Sequence, residues 1–78
     1  MISTNITIYV HPLGILRKFA ECHEMELFLG ATPNTVIQRL RIPEKVKIVP
    51  FVNGNKVSLN SELHDGDELK LVALVTGG

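Results

Sequence analysis

Apolar and polar residues alternate over Ile6, Thr7, Ile8, Tyr9 and Val10, so Asn5 to Val10 reads as a first strand with one apolar face. His11-Pro12 is expected to end it, because proline removes a ladder donor. Leu13, Leu16, Phe19 and Ala20 then fall near helical spacing, with Arg17, Lys18 and Glu21 outward. That connection reads as a helical turn or as irregular chain. Glu24 to Leu29 reads as a second strand, with Met25, Leu27 and Leu29 on one face and Glu24, Glu26 and Phe28 on the other. Gly30 closes it.

A short helix follows. Thr32-Pro33 offers an N-cap and a proline at the first helical position, where the missing N–H costs nothing. Thr35 to Gln38 also fits a capping box, so the start lies at either threonine. Val36, Ile37 and Leu40 share a face, and Pro43 stops the helix by disfavouring helical geometry at Ile42. Val46 to Val52 reads as a third strand, interrupted by Pro50. Asn53-Gly54 is a strong hairpin signal, and Lys56 to Leu59 returns as a fourth strand. Asn60 to His64 is a turn or a single helical turn, and Asp65-Gly66-Asp67 a tight turn. Glu68 to Val75 is the last strand. Leu69, Leu71 and Ala73 are expected to face the helix, and Lys70, Val72 and Leu74 the open side.

The order β-β-α-β-β-β packs most economically as α+β: a mixed sheet of about five strands with one main helix across one face. There is no repeat, linker or low-complexity stretch. Residues 1–78 read as one domain whose last residues, 75–78, form a flexible tail.

Composition narrows the function. A chain of 78 residues holds one small core. Eight basic and eight acidic residues give zero net charge, which offers no case for nucleic acid or an anionic membrane surface. The charges cluster, however. Arg39, Arg41, Lys45 and Lys47 lie mid-chain; Glu62, Asp65, Asp67 and Glu68 lie late and read as a solvated face or as an acidic edge beside the tail. Cys22 is the single cysteine, so no internal disulfide forms, in keeping with a reducing compartment. No stretch approaches the roughly 20 apolar residues of a membrane span. The first residues lack the basic and apolar regions of a secretion signal. A cytoplasmic location is expected.

The candidate chemistry sits at the end, Leu71 to Gly78 (LVALVTGG), an apolar run stopping on two glycines. Glycine lacks Cβ, so Gly77-Gly78 can thread a narrow channel and bring a carboxylate to a reactive centre. Other constellations are weaker. Cys22 and His23 are neighbours in sequence without an orienting carboxylate. His11, Cys22, His23 and His64 lack metal-site spacing. Asp65 to Glu68 resembles half a calcium loop without its twelve-residue frame. Gly14 and Gly30 form no phosphate loop.

Taken together, FVNG at Phe51 to Gly54, LHDGDEL at Leu63 to Leu69, the terminal Gly77-Gly78 and the element order resemble the ubiquitin-like β-grasp sulfur carriers of the MoaD/ThiS type. These are the small subunit of molybdopterin synthase and the thiamine-pathway sulfur carrier. The resemblance covers essentially the whole chain. It implies that Gly78 is adenylated by a ubiquitin-activating-like adenylyltransferase and converted to a thiocarboxylate, with Gly77 the slim residue behind it. This chain would then bind no cofactor, while ATP and Mg belong to the activating partner. Further partners implied are a sulfur donor enzyme and the molybdopterin synthase large subunit. Phe51, Val72, Leu74, Val75 and Thr76 would form the docking surface beside the tail. The long His11 to His23 connection, with PLGILRKFA at Pro12 to Ala20, favours the molybdopterin type. Ala73-Leu74-Val75, where those carriers commonly have Pro-Pro-Val, departs from it and leaves thiamine, tRNA thiolation and tungsten-pterin pathways open. A non-carrier β-grasp interaction module is the alternative of another class.

Overall fold

The computed structural model describes residues 4–74. Its elements are β1 (Asn5–Pro12), a 3-10 helix (Gly14–Lys18), β2 (His23–Phe28), α1 (Pro33–Arg39), β3 (Ile48–Val52), β4 (Asn55–Lys56) and β5 (Glu68–Ala73). The sheet order is β2-β1-β5-β3-β4. β1 and β5 are parallel at its centre, and every other pairing is antiparallel.

One face of the sheet is the core face. The β1 pattern buries Ile6, Ile8, Val10 and Pro12, while β5 buries Leu69 and Leu71. Val36 of α1, Leu16 of the 3-10 helix, Ile42 and Leu63 close over them. Burying a side chain of this size is worth roughly 1.5–3 kcal/mol, so these positions dominate the small core. Ala73 packs against the same cluster, as its parity with Leu69 and Leu71 requires.

β1 runs two residues past Val10 and ends at Pro12, and β3 continues through Pro50 without the expected interruption. The N–H groups of Tyr9 and Leu13 donate to Asp67 and Leu71 carbonyls at 2.9 and 3.0 Å, so odd-numbered β1 residues face β5. Pro12 therefore points its missing donor at the β2 side, where pairing has already stopped at Val10–His23. Pro50 works the same way. Asn53 and Leu74 N–H groups join β3 and β5 at Glu68 and Lys47 carbonyls, which turns Pro50 toward β4. Val57 N–H still donates to the Pro50 carbonyl at 3.1 Å, but no reciprocal bond can form. This is why β4 is two residues long and not Lys56 to Leu59.

Other boundaries move for equally local reasons. Thr32, not Thr35, caps α1: the Thr32 N–H donates to Thr35 Oγ1 at 3.1 Å, completing a capping box. α1 stops at Arg39, before Pro43 can act, because Arg41 takes a left-handed conformation at φ 58°. The third strand starts at Ile48, not Val46, since Val46 closes a turn by donating to the Pro43 carbonyl. β2 ends at Phe28, so Leu29 lies in the turn and is 62% exposed instead of sharing the core face. Leu59-Asn60 forms a turn without a helical turn after it. Asn53 and Gly54 hold φ of 51° and 88°, the doubly positive pair that a two-residue hairpin needs. Val75, expected to finish the last strand, lies outside the described residues.

Candidate functional site: the open sheet face and the end of the last strand

The register assigns the face opposite the helix. His11 and Phe51 both stand opposite Lys70, and Val49 stands opposite Val72. Tyr9, opposite Glu68, joins them. Phe51 and Val72 are thus near neighbours on adjacent strands, half-buried among Val49, His11 and Lys70. Leu74 continues the column and is 55% exposed, with its N–H donating to the Lys47 carbonyl at 2.8 Å. Phe51, Val72 and Leu74 lie on this one face, Phe51 opposite Lys70 and Leu74 further along at the Lys47 end. Val75, Thr76, Gly77 and Gly78 lie outside the described residues.

The sequence reading missed three members of this surface. Tyr9 and His11 stack at 6.2 Å between ring centroids and 23° between planes. Val49 fills the gap beside Val72. The signal was available, because alternation with Ile8 and Val10 puts Tyr9 and His11 outward; what was hidden was that β5 lies alongside them. His11 Nε2 is buried and has no hydrogen-bond partner among the described residues. The 3-10 helix also reaches this margin: Leu13 N–H binds the Leu71 carbonyl and leaves Leu13 and Ile15 exposed near the end of β5.

The acidic cluster is not beside Leu74. Asp65 and Asp67 precede β5, so the six residues of that strand separate them from Leu74, roughly 20 Å at strand rise. Their carboxylates serve the local turns. Asp65 Oδ1 accepts from the Thr7 N–H at 2.8 Å, and Asp67 Oδ2 from the His64 N–H at 2.8 Å. Asn53 Nδ2 donates to Asp67 Oδ1 at 3.1 Å, and Asn53 Oδ1 accepts from the Glu68 N–H at 3.0 Å. The FVNG and DGD turns that carried the resemblance are therefore one clasp at the pole away from Leu74.

The remaining candidates are dispersed. Cys22 is exposed in the bend before β2, and His23 Nδ1 donates to the Glu21 carbonyl at 2.7 Å. His64 lies by Glu62 and Asp67 at 3.7 and 3.9 Å. No group of three or more His, Cys, Asp or Glu is placed to hold a metal among the described residues. On the helix side, Ile37, Ile42, Val46, Ile48 and Leu59 line a groove of about 170 Å³. That is below the ~300 Å³ at which small-molecule pockets usually begin. Among the described residues, no helix is long and apolar enough to cross a membrane.

A mixed sheet with parallel central strands and one helix laid across it defines a ubiquitin-like β-grasp protein. The chain is similar to the HVO 2177 protein of Haloferax volcanii, with a TM-score of 0.78 and 16% identity over 100% of this chain and 92% of that one. It is also similar to a Pyrococcus furiosus protein provisionally designated molybdopterin converting factor subunit 1, with a TM-score of 0.72 and 23% identity over 90% and 99%. SAMP1 of Haloferax volcanii matches with a TM-score of 0.70 and 19% identity over 92% and 99%. No family model matches the chain, and no curated protein matches it by sequence. The likeness establishes the fold that the motifs implied.

Proposed function

We propose that the chain is a sulfur carrier whose reacting group is the carboxylate of Gly78, taken as its terminal residue. A carboxylate acylates poorly until it has a leaving group. On the activating partner, a Gly78 oxygen attacks the α-phosphorus of ATP, and pyrophosphate departs with Mg. Sulfide released by the donor, as HS⁻, then adds to the carbonyl, the C–O bond to AMP breaks, AMP leaves and the S–H proton is lost to solvent. The product is a thiocarboxylate in which one oxygen has been exchanged for sulfur. The carrier contributes a handle and a surface; positioning belongs to the partner.

The observation that supports this most is the course of β5. It runs up the centre of the sheet and brings Leu74 to the sheet's margin beside Lys47, just beyond the Val72–Val49 pair. The next four residues reach about 13 Å when extended. A partner holding the open face would thus have Gly78 within reach, and Gly77 would pass where a side chain could not. Molybdopterin is the acceptor pathway favoured, on the Pro12 to Ala20 resemblance and the likeness to the Pyrococcus furiosus protein. Val75 and Thr76 would extend the docking surface toward the active site of the activating enzyme.

The test is intact mass after incubation with an activating enzyme, ATP, Mg and a sulfur donor. The expected product gains the mass difference between sulfur and oxygen, and loses the gain when Gly78 is deleted. The sheet surface around Phe51, Val72, Val49 and Tyr9 supports one other reading, a β-grasp interaction module. Unchanged biological activity of the Gly78 deletion would select that module over the carrier.

A further inference from the structure

β2 forms one edge of the sheet, on the side of β1 away from β5. Even-numbered β1 residues face β2, since the odd-numbered ones face β5. Ile6, Ile8 and Val10 therefore exchange ladder bonds with Leu27, Met25 and His23. Glu24, Glu26 and Phe28 turn their backbone groups outward. Only one of these is used: the Phe28 carbonyl accepts from the Ala31 N–H at 3.1 Å. Three N–H and two C=O groups along this edge have no protein partner among the described residues. The opposite edge, β4, is only two residues long.

The side chains along the edge give it a definite character. Glu24, Glu26 and Phe28 share the open side of the sheet, standing opposite Tyr9, Thr7 and Asn5. Phe28 is 71% exposed, and Leu29 follows it into solvent. Neither proline nor lysine blunts the strand, the usual devices against edge pairing. Arg39 lines a small recess with Asn5, Glu26, Leu27 and Phe28, and Glu26 Oε1 accepts from Asn5 Nδ2 at 3.4 Å. The register puts Glu24 and Glu26, and with them the acidic character of the edge, on the open side.

Charge selects the occupant. A second copy pairing antiparallel about Glu26 would set Glu26 against Glu26, and like charges directly opposite destabilise a strand pair. The acids block self-association while leaving the backbone groups available. We propose that β2 accepts an extended segment of another protein by strand addition. That segment carries basic side chains opposite Glu24 and Glu26 and an apolar side chain opposite Phe28. In antiparallel pairing its core order is apolar-x-basic-x-basic.

The probe is an end-blocked peptide containing Phe-Thr-Lys-Thr-Lys, titrated into the isotopically labelled full chain by NMR. The expected result is shifts centred on the Glu24, Glu26 and Phe28 amides, with those amides slowed in hydrogen exchange. E24K/E26K, both surface changes that spare the core, should weaken this peptide about tenfold, from the exchange of two exposed attractions for repulsions. The same variant should prefer a peptide with Glu in place of Lys. A peptide N-methylated at the ladder-facing amides keeps its charge and should not bind. Binding of the methylated peptide at equal strength, shifts confined to Tyr9, Phe51 and Val72, or no shift at millimolar peptide would each overturn the proposal. Deleting Gly78 should leave the titration unchanged, which keeps this test independent of the carrier reading.

Discussion

Asn53 Nδ2 lies 3.1 Å from Asp67 Oδ1, joining the hairpin after β3 to the turn before β5. The same asparagine holds Glu68 in both directions: its N–H donates to the Glu68 carbonyl at 2.9 Å, and its Oδ1 accepts from the Glu68 N–H. Asp67 is the one buried charged residue described, and its other oxygen holds His64. The clasp fixes where β5 starts and hence where it delivers Leu74.

Asp67→Ala should strand the Asn53 amide and the His64 N–H, costing about 1–3 kcal/mol. Asn53→Ala removes the clasp and also places alanine at φ 51°, so it should cost more than Asn53→Gly, which keeps the turn. Urea denaturation of both single variants and the double should show a coupling energy of about 0.5 kcal/mol or more. Simple additivity would mean that the contact contributes nothing.

Arg41 occupies the left-handed position that usually takes glycine just past a helix end. Arg41→Gly should therefore stabilise the fold by about 0.5–1 kcal/mol, the relief of the Cβ clash less the added chain entropy. A thermal melt checks it. A lower midpoint would mean that the exposed arginine makes a compensating contact.

Pro50→Val restores an N–H aimed at the Val57 carbonyl. The new bond offsets the lost rigidity of proline, so stability should change by less than about 1 kcal/mol. The informative readout is hydrogen exchange: a protected amide at position 50 should appear, and the β3–β4 ladder should lengthen. Rapid exchange there would show that something other than the missing donor shortens β4.

Phe51→Ala and Val72→Asp, on the open face, should weaken the activating partner at least about tenfold, the usual cost of losing a central interface anchor. The exposed Ile15→Ser, near the end of β5, should weaken it less. Calorimetry against the partner measures this, with the melt as control for Val72, which is half-buried. Equal affinity for all three variants would remove the open face from the docking surface. Leu71→Ala serves as the contrasting core variant and should cost about 2–5 kcal/mol of stability.

Local information carried most of the architecture. Alternation in β1, β2 and β5 and the Asn53-Gly54 pair were legible because each depends on neighbours within a few residues. The capping region at Thr32 to Gln38 was legible too, but not which threonine capped. The inward faces followed from parity, which puts Leu69 and Leu71 in the core wherever the sheet places their strand. What no local rule could supply was which strand lies beside which. Pro12 and Pro50 read as breakers because their tolerance depends on whether the neighbouring strand still runs past them. Tyr9, His11 and Val49 joined Phe51 and Val72 only once β1 and β3 flanked β5. The late acids, read as a solvated face or an acidic edge, sit at the pole away from Leu74 because β5 runs its full length between them. Side-chain parity is a property of one strand, whereas a surface, an edge or a clasp is a property of strands brought together. That is why the residue types were readable from the chain and their neighbourhoods were decided by tertiary packing.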